Sequence, residues 1–152
     1  MPSPKSARPT GRTGKPSMFQ IHPRLLADTL PLCGLTLCEV RLMNDRRFPW
    51  LILIPKRPAI TAVHQLNLAD QQQLISESSH ASMALEQLYT PDKINVAALG
   101  NLVPQLHWHV VARRSDDPCW PGPIWGCGQP IAYTEAECAH HIATLQAWFN
   151  DD

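Results

Sequence analysis

Charge of one sign is missing from this chain taken whole: Lys+Arg and Asp+Glu number 13 each, so the net charge is zero with histidine neutral. That balance excludes whole-protein electrostatic capture of nucleic acid or of an anionic membrane. No apolar run approaches the roughly 18 residues of a bilayer span, so no membrane partner is expected. Cys-x-x-Cys pairs are absent too, which removes zinc-ribbon and thioredoxin-type readings. The five cysteines are Cys33, Cys38, Cys119, Cys127 and Cys138. They are expected to be reduced thiols in a cytoplasmic protein, some of them filling core. The first residues lack the apolar stretch of a secretory signal, which points to the same compartment. Glycine is scarce, seven residues against 15 prolines, which argues against an all-helical bundle and for fixed turns and extended segments. No internal repeat is present.

What is there is 152 residues, 44% hydrophobic and 17% charged, about one domain's worth of core. Residues 1–17 hold four prolines and the bases Lys5, Arg8, Arg12 and Lys15, with no acid. Such a segment buries too little apolar surface to fold, and a disordered basic tail is expected. A solvated extension is the plainer reading of it than a nucleic-acid-binding arm, and no amphipathic pattern supports a transit peptide. Residues 18–152, with 9 basic and 13 acidic side chains, form the expected single domain.

The pattern along that domain predicts an α+β fold, a mainly antiparallel sheet with helices packed on it. A short helix is expected from Pro23 to Leu30. Thr36 to Met43 alternates as a half-buried strand, and Trp50 to Ile54 is continuously apolar, like a central strand covered on both faces and ended by Pro55. Asn67 caps a long helix over 68–89 with a stripe of Leu74, Ala81, Leu85 and Leu88. Strands follow at Ile94–Leu99 and Leu106–Ala112. Thr134-x-x-Glu137 is a capping box opening a last helix.

The chemistry sits in Gly100-Asn101-Leu-Val-Pro104-Gln105-Leu-His107-Trp-His109. Alternate residues of a strand share a face, so Gln105, His107 and His109 would form one polar stripe opposite Leu106, Trp108 and Val110. The turn at Gly100 and Asn101 offers backbone N–H groups suited to a phosphate. Spacing alone leaves three readings: nucleophilic and proton-transfer chemistry at phosphorus, a divalent metal held by two imidazoles, or histidines that merely face water. Trp120 and Trp125 could stack on a base or anchor their loop, with anchoring favoured. Arg113 and Arg114 could meet a polyphosphate or be solvated charges. His140 and His141 read as surface residues.

This stretch resembles the signature of the histidine triad (HIT) superfamily, His-φ-His-φ-His-φ-φ on a strand after a glycine-containing polar turn. Gln105 matches the first His, His107 the middle and His109 the third. Arg41 to Pro55 resembles the family's upstream strand pair, and Val63 to Leu74 the lead into its long helix, so the likeness spans roughly residues 36–114. The resemblance implies a five-stranded sheet with one long helix and a C-terminal helix. It implies a nucleotide hydrolase or nucleotidyl transferase acting on a blocked α-phosphate: a dinucleoside polyphosphate, a phosphoramidate or a nucleotidyl conjugate. His107 would carry a covalent nucleotidyl group, His109 would serve the phosphate and leaving group, and Gln105 would stand in the triad's first place. Asn44, Asn101 and Gly100 would contact the substrate. No cofactor or protein-held metal is implied, with Mg2+ admitted only as the companion of a polyphosphate. A homodimer is implied, formed around the long helix with one sheet running across both chains. Trp50 stands where many members carry an additional His. Gln105 and Trp50 together motivate the alternative of a nucleotide-binding protein with weak or absent catalysis.

Overall fold

The apolar run Trp50–Pro55 (β3) lies in the middle of a five-stranded antiparallel sheet, and all six of its residues are buried. A computed structural model describes residues 18–151, to which everything below refers; the expected basic tail, residues 1–17, lies outside them. β3 pairs on one side with Cys38–Met43 (β2) and on the other with Trp108–Arg113 (β5). Thr29–Gly34 (β1) and Lys93–Ala97 (β4) form the two edges, so the order is β1-β2-β3-β5-β4.

The first helix, Pro23–Asp28 (α1), is shorter than the sequence suggested, because Thr29 and Leu30 already belong to β1. Proline and glycine at Pro31 and Gly34 hide that strand from a sequence reading. It is tolerated because an edge strand lacks one partner, and the pairing register shifts between Pro31 and Cys33. Leu68–Tyr89 (α2) runs to its expected ends: the Asn67 side chain accepts from the Asp70 N–H, and Thr90 closes the helix at φ 45°. Thr134 and Glu137 form the capping box of Glu135–Asn150 (α3).

Both helices cover one face of the sheet. Val40, Leu42, Leu51, Leu53, Val110 and Ala112 meet Leu74, Ala81 and Leu85 of α2 and Leu145 and Phe149 of α3. Each such leucine, fully buried, stabilises the fold by about 2 kcal/mol. Glu77, buried on α2, accepts from the backbone N–H of Leu37 at 2.9 Å and of Cys38 at 2.7 Å, which fixes the helix to the start of β2. The opposite face carries Trp50, Ile52, Ile54 and Val111. It is roofed by Phe19, Ile21 and Leu25 before and within α1, and by Cys119, Ile124 and Trp125 of the loop after β5. The site lies under this second roof.

The expectation of five reduced thiols is corrected in that loop: Cys119 and Cys127 form a disulfide. Eight residues apart with proline and glycine between them, they match no spacing motif, yet the loop turns back to bring their Cα atoms to 6.1 Å. Cys33, Cys38 and Cys138 are free, and burial pushes the Cys33 thiol up to about 11. No helix among the described residues is long and apolar enough to cross a membrane.

Candidate active site

β5 opens at Trp108, so His109 stands on the strand and His107 just ahead of it. Strand alternation sends Trp108, Val110 and Ala112 to the helix-covered face, and His109 and Val111 to the loop-covered one. His109 lies opposite Ile52 of β3 and Ala97 of β4. The two imidazoles meet, with ring centroids 4.9 Å apart at 62°, and they are 9% and 4% exposed.

Each ring is held through Nδ1. His107 Nδ1 lies 2.7 Å from the backbone carbonyl of Gln105. A carbonyl only accepts, so Nδ1 carries the proton and a neutral ring keeps its lone pair on Nε2. His109 Nδ1 accepts from the indole N–H of Trp50 at 3.0 Å. His109 is further enclosed by Trp125, at 5.3 Å between centroids, and Trp125 packs edge-on against Trp50. Burial, with the neighbouring His107 adding to it, pushes the His109 pKa down to about 3. The Trp125 indole nitrogen is buried with no hydrogen-bond partner among the described residues.

The other residues singled out in the sequence are placed as follows. The Gln105 side chain bonds to the segment before α1: its oxygen accepts from the His22 N–H at 2.7 Å and its nitrogen donates to the Gln20 carbonyl at 2.8 Å. What it holds is the segment entering α1. Asn44 uses its side-chain oxygen to accept from the Tyr133 N–H, 3.0 Å away. Gly100 sits at φ +79°, a left-handed conformation that favours glycine, and starts the turn that leads to His107. Asn101 is exposed in that turn. Among the described residues no group of three or more His, Cys, Asp or Glu is placed to hold a metal ion, and the two histidines gain no third ligand.

The loop that covers His109 is built on Arg113, which is buried rather than available to a polyphosphate. It donates to Asp117, to the Asn95 side chain and to the Gly122 carbonyl, and stacks near Phe48 and Trp120. Arg114 is exposed and pairs with Asp116. Arg47 makes a second anchor, joining Asp45 to the Cys127 carbonyl. His141 is half-buried and bonded to the Tyr89 hydroxyl at 2.8 Å, where the sequence had suggested an open surface position. Two residues matter more here than their local sequence shows: Trp125, expected to anchor its loop or stack on a base, lies against His109, and Arg113, expected to meet a polyphosphate or be a solvated charge, is buried. Nothing local in the sequence says that the loop after β5 will fold back over the strand.

Compared with known families, the chain matches the HIT domain over residues 32–116. A histidine triad protein from Marinobacter aquaeolei is 47% identical and superposes with a TM-score of 0.86, covering 89% of this chain and 98% of that one. Histidine triad proteins from Sinorhizobium meliloti and Bradyrhizobium japonicum are 45% and 42% identical, with TM-scores of 0.83 and 0.84. They cover 85% and 86% of this chain, and 96% and 98% of their own. No curated protein matches it.

Proposed function

This chain belongs to the histidine triad (HIT) family, and we propose that it hydrolyses or transfers a nucleoside monophosphate unit from a blocked α-phosphate through a nucleotidyl adduct on His107. Members of the family are in general nucleotide hydrolases or transferases. The observation that carries the reading for this chain is the 2.7 Å bond from His107 Nδ1 to the Gln105 carbonyl, which reserves the Nε2 lone pair for attack. That lone pair forms a P–N bond to the α-phosphorus while the bond to the leaving group breaks, and the leaving group takes the electron pair. Water then adds to phosphorus, the P–N bond breaks back to His107, and the water's proton passes to solvent. His109, one ring away, serves the phosphate or leaving-group oxygen as a hydrogen-bond donor. In this reading Gly100 and Asn101 in the preceding turn contact the phosphate, and Asn44 contacts the nucleotide or its phosphate.

No cofactor enters this reaction, and Mg2+ accompanies the substrate only where that is a polyphosphate. A homodimer belongs to the same reading. It is supported by the unpaired outer edge of β4 with exposed Val96, by exposed Leu99 just beyond it, and by exposed Leu68, Ile75 and Met83 on α2. Cytoplasmic placement is part of it too, with the Cys119–Cys127 disulfide as its opposing feature, since thiols are kept reduced there. The test is mass spectrometry of the protein after incubation with a panel of adenylated and guanylated compounds. A nucleotidyl mass on the peptide containing His107, absent from His107→Ala, is expected; an adduct that persists in the variant overturns the assignment.

A second reading, nucleotide binding with little turnover, draws on the near-complete burial of both rings and on the engagement of the Gln105 side chain by His22 and Gln20. It predicts nucleotide affinity in calorimetry with no product from any compound of the panel.

A further inference from the structure

Trp50 gives this site a chemical limit that the histidines alone do not set. The indole N–H can donate and never accept, and here it donates to His109 Nδ1 at 3.0 Å. Nδ1 is therefore the unprotonated nitrogen, and the proton of the neutral ring lies on Nε2. Adding a second proton would set an Nδ1–H against the indole N–H, two donors face to face, inside an enclosure of Trp50, Trp125 and His107. A 4% exposed ring has little water to relieve that opposition. Burial of the ring acts in the same direction.

A neutral imidazole with its proton on Nε2 is a good hydrogen-bond donor and a very poor acid, because giving up that proton would leave an imidazolate. Such a donor stabilises charge on an oxygen without transferring a proton to it. Leaving groups divide on this point. A phosphate or polyphosphate departs as a stable anion with the electron pair of the broken P–O bond. The amine of a phosphoramidate would depart as an amide anion unless an acid protonated its nitrogen as the P–N bond broke.

We propose that Trp50 is a positioning residue that fixes His109 as a neutral Nε2–H donor and thereby directs this site to phosphoanhydrides rather than phosphoramidates. This rests on His107 being the nucleophile and narrows the substrate class of that same site.

The experiment compares kcat/KM for diadenosine triphosphate with that for adenosine 5′-phosphoramidate, in the wild type and in Trp50→His and Trp50→Phe. Histidine at position 50 can accept as well as donate and so releases Nδ1 of His109 to carry a proton. The wild type is expected to favour the anhydride, and Trp50→His to raise the relative rate of the phosphoramidate by about 100-fold, the lower end of what a recovered general acid supplies. Long-range 1H–15N correlation spectra of histidine-labelled protein provide the readout that needs no turnover. A single Nε2–H tautomer of His109 is expected in the wild type, and its loss in Trp50→Phe. Equal or faster wild-type cleavage of the phosphoramidate, an unchanged ratio in Trp50→His, or an Nδ1–H tautomer in the wild type each overturns the proposal. An adduct on His107 with a ratio indifferent to Trp50 sinks this inference alone; no turnover of either compound and no adduct removes the proposed function, and this inference with it.

Discussion

Arg113 reaches Asp117 with two nitrogens, Nε at 2.7 Å and Nη2 at 3.1 Å, and the paired side chains are 1% and 6% exposed. The same guanidinium donates to Asn95 on β4 and to the Gly122 carbonyl, so one buried cation holds a strand end, its neighbour and the loop that carries Trp125 over His109. Removing one partner of such a pair leaves an uncompensated buried charge. Asp117→Ala is expected to lose about 3–5 kcal/mol of stability in urea unfolding. Arg114→Ala, which breaks only an exposed pair with Asp116, is expected to change stability by less than about 1 kcal/mol. Equal losses in the two variants would contradict the structural role given to Arg113.

Gln105 acts on His107 through its backbone and on the α1 segment through its side chain. Gln105→Ala keeps the carbonyl that orients His107, so turnover is expected to fall by less than about tenfold, well short of losing a general acid or base. The N–H of His22 and the carbonyl of Gln20 lose their partner, and amide exchange at residues 20–24 should quicken. Loss of turnover as complete as in His107→Ala would place the side chain itself in the chemistry.

The depressed pKa of His109 has a signature in stability. The unfolded chain binds a proton there near the ordinary value of 6.5 while the folded protein resists it down to about 3. More protons on the unfolded state means that stability rises with pH, so this contribution is complete above about 6.5 and is lost as pH falls toward 3. Between about pH 6 and pH 5 the wild type should lose roughly 1 kcal/mol per pH unit more than His109→Asn. Denaturant midpoints measured at several pH values in that window decide it; parallel slopes would mean that the ring is hydrated and titrates normally.

The Cys119–Cys127 bond closes a short loop, and shortening the unfolded chain's freedom this way contributes about 2 kcal/mol. Cys119→Ser is expected to lower stability by that order and to loosen Trp125, seen as increased quenching of tryptophan fluorescence by acrylamide. Thiol titration of the unfolded wild type without reductant should find the three free cysteines and no more. Five reactive thiols would restore the fully reduced state.

Much of this fold could be read along the chain because its signals are local. Asn67, Thr134 and Glu137 announce helix starts through hydrogen bonds that span three residues, and the unbroken apolar run of β3 announces a strand covered on both sides. β1 could not be read, since Pro31 and Gly34 look like breakers until the strand is known to be an edge. The alternation around His107 and His109 placed both imidazoles on one face; it did not show that the Gln105 side chain bonds to a segment more than eighty residues earlier in the chain.

The order of amino acids by itself determined the antiparallel α+β frame, both ends of α2 and the start of α3, and the pairing of two histidines on one side of a strand. These follow from periodicities of two and 3.6 residues and from capping chemistry. Only the tertiary structure decided the environment of those histidines: which nitrogen of each is occupied, and that Trp50 and Trp125 close around His109. It also decided that Arg113 is a buried anchor and that two cysteines meet. Protonation and burial depend on groups brought together from distant strands and a returning loop, and no local pattern encodes that convergence.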